Sequence, residues 1–171
     1  MCQAASFILT ENEVYFSEKH DSHEEIISEN KLVADGANGP HILRVEINPV
    51  ENLMDLTTWK FKIDQDTRPT WFNAEKDEAR VRTALKSWWK CRWDAKTKTF
   101  SSGGNMDLGS LTSLPANAKL SSGGYIDLSS LTSLPANAKL SSGWYMKLSS
   151  LTSLPAKFDK SKIKGTIYLK D

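Results

Sequence analysis

The C-terminal part of the chain repeats a pattern of apolar and polar positions every 20 residues. The hexapeptide Ser-Leu-Thr-Ser-Leu-Pro begins at Ser110, Ser130 and Ser150. Between these segments apolar residues alternate with polar ones, which is the pattern of a strand with one buried face. Because one such unit is too small to enclose a core, we expect the units to stack and to share a column of leucines.

The stacked units predict a short β-solenoid over residues 96–171. Coils are expected near 103–122, 123–142 and 143–162, and a decayed, lysine-rich copy at 158–171 is expected to cover the open end. The charge changes at the same boundary, since residues 1–93 have a net charge of −4 and residues 94–171 a net charge of +5. We therefore predict a separate small domain over residues 1–95.

This N-terminal segment predicts an α+β domain in the order ββαββα. Strands are expected at 6–10, 13–17, 43–47 and 59–63, and helices at 23–30 and 74–90. Ser22 begins a Ser-x-x-Glu capping box, and Asn73 is the expected N-cap of the longer helix. On that helix Val81, Ala84, Leu85 and Trp88 form one apolar stripe.

The repeats resemble the 20-residue leucine-rich repeats of bacterial effector proteins. In that family a Leu-Thr-Ser-Leu-Pro element is followed by a spacer and a strand, for which Ile126-Asp127-Leu128 is the counterpart here. The family usually has an asparagine after the strand, whereas this chain has Gly109-Ser110, Ser129-Ser130 and Ser149-Ser150. A β-solenoid with two strands per coil and a different cross-section therefore remains an alternative.

The resemblance implies that the extended strand face binds protein. The outward strand positions and the aromatic residues beside them would form this face: Asp107, Tyr125, Asp127, Trp144, Tyr145, Lys147 and Tyr168. Tryptophan and tyrosine are enriched among the residues that contribute most to binding at protein interfaces. The alternative is a solvated surface on which Trp144 packs against the neighbouring coil.

Cys2 is the first candidate for covalent chemistry. Removal of Met1 would leave its thiol beside a free amine that can act as base, as in N-terminal nucleophile enzymes. This start resembles those of class II glutamine amidotransferases and abasic-site-binding proteins, which continue with glycine where this chain has Gln3. The alternative is a small buried side chain at the start of a strand.

His20, Asp21 and His23 are the second group of candidates. A histidine and an aspartate near Cys2 would supply a base and the group that orients it, which defines an enzyme hypothesis of a small hydrolase or transferase. The competing interpretation is local, because Asp21 and Ser22 also suit the cap of a helix that carries the histidines on its solvated first turn.

No complete metal or cofactor motif is present, and we expect none to be bound. The carboxylates of Asp55, Asp64 and Asp66 lack the glycine and the distal glutamate of a calcium loop, which favours a polar turn. The aromatic and basic cluster at 88–93 mixes the residue types of single-strand nucleic-acid sites. The acidic balance of the domain instead favours Trp88 in the core, with Trp89, Cys91 and Trp93 packed against the first repeat.

The opening residues 1–29, together with Trp59-Lys60, Asp64-Gln65-Asp66 and Pro69-Thr70-Trp71, resemble the N-terminal domain of uncharacterised bacteriophage and prophage proteins. This resemblance implies a phage origin rather than a mechanism. The chain has two cysteines, no signal-peptide pattern and no apolar run near the ~20 residues of a membrane span. We therefore expect a cytoplasmic protein, in the host cytoplasm if phage-encoded, without a membrane or nucleic-acid partner.

The leading functional hypothesis is a non-enzymatic module that binds a host protein, as an inhibitor of host defence. The repeat face or the junction between the two halves would be the binding surface. Neither the partner nor the oligomeric state follows from the sequence.

Overall fold

A four-stranded antiparallel sheet forms the centre of the N-terminal half. The computed structural model describes residues 5–36 and 39–171, so Cys2 lies outside the described residues. The strands of this sheet are β1 (Ala5–Leu9), β2 (Val14–Tyr15), β5 (Leu43–Asn48) and β6 (Lys60–Ile63). They lie in the order β2-β1-β5-β6 across the sheet. A small hairpin of β3 (Asp35–Gly36) and β4 (Gly39–Pro40) replaces part of the expected loop.

Two helices pack on this sheet, and both begin at the predicted caps. The Ser22 side chain accepts a hydrogen bond from the Glu25 amide at the start of α1 (His23–Glu29). The Asn73 side chain accepts one from the Lys76 amide at the start of α2 (Ala74–Arg92). The predicted ββαββα order is therefore confirmed for the main elements, with the β3–β4 hairpin as an addition.

The two faces of the sheet differ in polarity because residues alternate along β5. Leu43, Val45 and Ile47 lie in the large apolar core with α2, whose Val81, Leu85 and Trp88 are buried there. Arg44, Glu46 and Asn48 therefore point to the opposite face. On that face Ile26 of α1 packs with Ile8 and Ile42 in a second, smaller core.

Residues 99–169 form a β-solenoid of about four turns, as the repeat predicted. Each of the first three coils adds a strand to each of two sheets, and the last coil adds a strand to the second sheet only. The first sheet contains β8 (Thr99–Ser102), β10 (Lys119–Ser122) and β12 (Lys139–Ser142), and β7 (Trp93–Asp94) closes it in antiparallel orientation. The second contains β9 (Met106–Asp107), β11 (Ile126–Asp127), β13 (Met146–Leu148) and β14 (Ile167–Leu169).

The register follows the 20-residue period. Leu120 pairs with Phe100 on one side and with Leu140 on the other, so equivalent residues stack directly above one another. Buried leucines line the interior: Leu108, Leu111, Leu114, Leu120, Leu128, Leu131, Leu134, Leu140, Leu148 and Leu151. At the far end the decayed copy continues the stack, because Ile163 bridges to Ser142 and β14 pairs with β13.

An aromatic cluster joins the two halves. The rings of Trp89 and Phe100 stack at 5.1 Å between centroids, and Trp88 lies 5.8 Å from Phe100. Trp89 also stacks on Trp93 at 5.7 Å. The prediction that these tryptophans pack where α2 meets the first repeat is therefore confirmed. It is wrong for Cys91, which is exposed.

Arg92 occupies the buried helix position beside Cys91, at 2% exposure. Its guanidinium Nη2 donates to Asp21 Oδ1 at 3.1 Å, and its charge lies 5.4 Å from the Trp88 ring centre. This ion pair explains why a charged side chain, rather than the cysteine, faces inward. Among the described residues no helix has the length and apolar character needed to cross a bilayer.

Candidate functional site: a cleft at the junction

A cleft of about 540 Å³ lies between the start of α1 and the corner of the solenoid. The N-terminal half contributes His20, Asp21 and Glu25, and the solenoid contributes Asp107, Tyr125 and Trp144. Its volume falls in the range of about 300–1,000 Å³ that small-molecule and cofactor sites occupy. The structure thus brings two of the predicted catalytic candidates, His20 and Asp21, together with part of the predicted binding face in one site.

Glycines allow the solenoid corner to stack closely at this point. A Cβ atom on Gly123 would lie 2.1 Å from the carbonyl oxygen of Gly103 in the preceding coil, so a side chain does not fit there. Gly104 and Gly124 occupy the next position of the repeat, where the third coil has Trp144 instead. Trp144 is 62% exposed and lies at the wall of the cleft. The loss of a repeated glycine therefore marks the most exposed aromatic side chain of the site.

Asp21 links this wall of the cleft to α2. Its Oδ1 accepts hydrogen bonds from Trp88 Nε1 at 2.9 Å and from Arg92 Nη2 at 3.1 Å. Burial raises the pKa of Asp21 from its ordinary value of 3.8 to about 6, although the charge of Arg92 and both hydrogen bonds act in the opposite direction. The carboxylate is thus held in place by α2 while its edge contributes to the cleft.

His20 lies next to Asp21 on the same side of the cleft. Its Nδ1 lies 3.3 Å from Glu25 Oε2, and its side chain is 39% exposed. A carboxylate at one ring nitrogen is the arrangement that orients a histidine for proton transfer at the other. The nucleophile of the enzyme hypothesis, Cys2, lies outside the described residues.

His23, the other candidate base, faces away from this site. Its side chain is 3% exposed, and its Nε2 lies 3.0 Å from the backbone carbonyl oxygen of Val45. It is not among the residues that line the cleft. The structure therefore groups His20 with Asp21 and places His23 against the polar face of the sheet.

The predicted binding face forms one row along the second sheet of the solenoid. Asp107, Asp127, Lys147 and Tyr168 are register partners in successive strands, and the rings of Tyr125 and Tyr145 stack at 5.0 Å beside them. Exposure varies strongly along the row. Tyr125 and Asp127 are 6% and 8% exposed, whereas Tyr168 is 50% exposed. The row therefore begins in the junction and ends at the open side of the last coil.

Asp107 carries the acidic character of the cleft on the solenoid side. Burial raises the pKa of its carboxyl, and the nearby charges of Asp127 and Glu46 raise it further. The Gly109 amide, which donates to Asp107 Oδ1 at 3.1 Å, and the charge of Lys147 act in the opposite direction. A cation bound in the cleft would relieve this crowding of negative charge.

Sequence reasoning missed Asn105, which lines the cleft, and Glu46, whose charge acts on Asp107, and it gave Glu25 only a role in the helix cap. Asn105 Oδ1 accepts a hydrogen bond from the Tyr125 amide at 3.2 Å and so fixes the corner of the second coil. Glu46 occupies a polar position of an ordinary amphipathic strand, and nothing in its local pattern marks it. For Asn105 there was a signal, because an asparagine stands where the next two coils have tyrosines.

Comparisons with family models, with curated proteins and with solved structures gave no match to this chain.

Proposed function

We propose that the protein is an interaction module that binds a basic segment of a partner protein in the junction cleft. The observation that carries the proposal is the pairing of a crowded carboxylate, Asp107, with an exposed tryptophan, Trp144, in one cleft built by both halves of the chain.

The charges of the cleft favour a cationic ligand. Asp21, Glu25 and Asp107 line it, and partial burial together with the nearby charges of Asp127 and Glu46 disfavours the ionised form of Asp107. A lysine or arginine side chain entering the cleft would neutralise this charge with a charge-assisted hydrogen bond. His20 is the basic side chain that lines the cleft, and its Nδ1 already lies 3.3 Å from Glu25 Oε2.

The aromatic residues supply the apolar part of the same site. A cation over an exposed indole ring gains about 0.5–1 kcal/mol, and more where water is excluded. Trp144 presents such a ring, and Tyr125, which stacks on Tyr145, lines the same cleft. An arginine that bonds Asp107 and stacks on Trp144 would use both features.

The wider setting of this proposal comes from the sequence. We propose that the coils are of the leucine-rich-repeat type and that the partner is a host protein, with inhibition of host defence as the consequence of binding. The 20-residue period and the buried leucine columns support the first part, whereas the two strands that each of the first three coils contributes match the alternative cross-section.

The binding proposal is tested by selecting peptides from a random displayed library on the immobilised full-length protein. We expect Lys- and Arg-containing peptides to be enriched, and we expect Trp144→Ala and Asp107→Asn to weaken the selected peptides by about tenfold or more, which corresponds to 1.4 kcal/mol. Binding constants are measured by fluorescence anisotropy at two salt concentrations. The cationic peptides should bind more weakly at the higher salt concentration.

Two exposed residues outside the cleft serve as matched controls. Val33→Ser and Tyr168→Ala alter side chains that are 65% and 50% exposed, and both variants should bind within about twofold of the wild type. Enrichment of acidic or purely apolar peptides would contradict the proposal. An equal loss in Tyr168→Ala would place the binding surface on the whole row instead of in the cleft.

A further inference from the structure

A second group of polar side chains meets on the polar face of the N-terminal sheet, outside the cleft. It combines His23 at the first position of α1, Glu46 in β5 and Asp64 directly after β6. One ligating atom from each lies within 4.8 Å of the others. The side chains of His23 and Glu46 are 3% and 0% exposed, while that of Asp64 is 36% exposed. The group is therefore enclosed on the protein side and open towards Asp64.

The histidine is already oriented as a ligand. Its Nε2 lies 3.0 Å from the Val45 carbonyl oxygen, which accepts a hydrogen bond from the Nε2–H tautomer. In that tautomer the lone pair of Nδ1 points away from the backbone and towards Asp64. Metal-bound histidines in proteins almost always donate their other ring N–H to such a carbonyl or carboxylate.

The separation of His23 from Asp64 distinguishes a shared ion from a direct hydrogen bond. Nδ1 and Asp64 Oδ2 are 3.6 Å apart, which is too long for an N–H···O hydrogen bond. Two ligands at about 2.0–2.2 Å from one tetrahedral zinc ion lie roughly 3.4 Å apart. The observed distance thus matches two ligands of one ion more closely than a direct contact.

Lys62 shows where positive charge is needed in this group. Its Nζ lies 3.1 Å from Asp64 Oδ1 and 3.5 Å from Glu46 Oε2, so one ammonium bridges both carboxylates. Its side chain is 54% exposed, and it therefore has room to swing out into solvent. The neighbouring cation, Arg44, pairs with Glu24 instead. When Lys62 moves aside, the two ionised carboxylates carry a charge of −2, which one divalent ion would balance.

We propose that His23 Nδ1, Glu46 and Asp64 bind one divalent transition-metal ion, with zinc as the fitting example. One imidazole nitrogen and two carboxylate oxygens suit zinc or manganese better than magnesium or calcium, which prefer oxygen ligands alone. Lys62 acts as the charge substitute when the ion is absent and moves aside when it binds. Three protein ligands leave one position of a tetrahedral site for a further ligand from the side of Asp64.

The proposal is tested by direct metal binding to the full-length protein. Cys91→Ser is used as the background, because the exposed thiol of Cys91 offers a separate site for soft metals. After treatment with a chelator, Zn²⁺ and Mn²⁺ are titrated by calorimetry, and bound metal is counted by mass spectrometry after gel filtration. We expect about one Zn²⁺ per chain, and a visible spectrum typical of tetrahedral coordination when Co²⁺ replaces it.

Three variants separate the site from the rest of the protein. Asp64→Asn and Glu46→Gln keep the shape of the side chain and should weaken Zn²⁺ binding by at least about tenfold. Asp66→Asn removes an exposed carboxylate from the same turn and should leave binding unchanged. Lys62→Met removes the competing ammonium and should bind Zn²⁺ more tightly than the background protein.

Circular dichroism of each chelator-treated variant shows whether it folds, and Asp64→Asn is the decisive variant because Asp64 lies at the surface. A stoichiometry near zero would overturn the proposal, as would equal Zn²⁺ binding by Asp64→Asn and Asp66→Asn. If Lys62→Met fails to bind Zn²⁺ and unfolds more readily, the lysine is the permanent counter-ion and no metal site exists. The peptide-binding test reports on other residues, so either proposal can fail alone.

Discussion

In the solenoid the polar side chains of the interior are mainly serines, whereas in the N-terminal half they include several ionisable groups. Ser122 Oγ lies 2.7 Å from the Gly104 carbonyl oxygen of the preceding coil, and Ser142 Oγ repeats this contact with Gly124 at 2.9 Å. In the N-terminal half Glu46 is fully buried and Arg92 is 2% exposed. Buried hydroxyls are satisfied by one neighbouring coil, but buried charges need partners from distant segments.

The buried polar side chains of the solenoid are therefore mainly neutral hydroxyls, whereas the N-terminal half contains most of the buried groups that can titrate. A neutral hydroxyl bonded to the next coil stabilises the stack wherever the repeat continues, and its contribution does not change with pH. A buried charge is held against a large desolvation penalty and destabilises the fold when its partner is lost. We therefore expect the N-terminal half to supply most of the buried titrating groups that set the pH dependence of stability, while the solenoid supplies Asp107 and Trp144 to the cleft.

Trp88→Ala tests whether the halves unfold as one unit, and it has the largest expected effect. The ring contacts Trp59 and Phe100, and its Nε1–H bonds Asp21, so truncation leaves a cavity in the shared core. We expect the free energy of unfolding to fall by about 3–5 kcal/mol. Urea unfolding followed by far-ultraviolet circular dichroism should still show one transition.

Trp144→Ala is the control for that experiment, because it removes an equally large but 62% exposed ring. Its unfolding free energy should stay within about 0.5 kcal/mol of the wild type. If Trp88→Ala unfolds in two separate transitions, and the urea midpoint of one of them equals that of the wild type, the solenoid folds without the N-terminal half.

Asp21 tests the pH sensitivity of the N-terminal half. Its pKa is raised to about 6 in the folded state, so between pH 4 and pH 6 the folded state binds more protons than the unfolded state. Stability present at low pH is therefore lost as the pH rises through this window, by about 3 kcal/mol for a shift of this size. Asp21→Asn should lack this slope when urea unfolding is measured at several pH values.

The difference between the wild type and Asp21→Asn isolates this carboxyl, since other titrating groups contribute to both. Asp55→Asn is a useful contrast, because hydrogen bonds from Thr57 lower the pKa of Asp55 and give the opposite sign. If the unfolding free energy of the wild type relative to Asp21→Asn stays constant or increases as the pH rises, Arg92 outweighs burial and keeps the Asp21 carboxylate ionised.

The sequence predicted the solenoid well because the 20-residue repeat determines which residues pair in neighbouring strands. Identical segments 20 residues apart can stack only with equivalent residues in contact, as Phe100, Leu120 and Leu140 do. The two helices were predictable for a local reason, since the caps at Ser22 and Asn73 act within one turn.

The aromatic packing at the junction was predicted, but its polar contacts were not, because they join residues far apart in sequence. Asp21 meets Arg92 across 71 positions, and that pair, rather than hydrophobicity, decides which side of the helix end is buried. The polar group around Glu46 arises in the same way, from three elements that the sheet topology brings together. Tyr125 is buried although its repeat equivalent Tyr145 is partly exposed, so identical local patterns met different surroundings.

Ser122→Ala tests the serine column of the solenoid and has the smallest expected effect. Its Oγ contacts the carbonyl oxygens of Gly104 and Tyr125 and accepts from the Gly124 amide. Each of these groups keeps another partner, since the Gly124 amide also donates to Gly104 and the Met106 amide donates to Tyr125. No buried group is left unsatisfied, so we expect a loss of about 1 kcal/mol that is equal at pH 5 and pH 8.

Ser121→Ala is the matched control, because the neighbouring hydroxyl is partly exposed on the outer side of the same strand and should contribute less than about 0.5 kcal/mol. Hydrogen exchange locates the effect, which should be confined to the coils on either side of residue 122, because each repeat contacts only its neighbours. A loss above about 3 kcal/mol, or faster exchange reaching β5, would show that the hydroxyl column acts cooperatively across the junction. The solenoid would then belong to the same polar network as the N-terminal half, and its serines could not be treated as independent of the buried charges there.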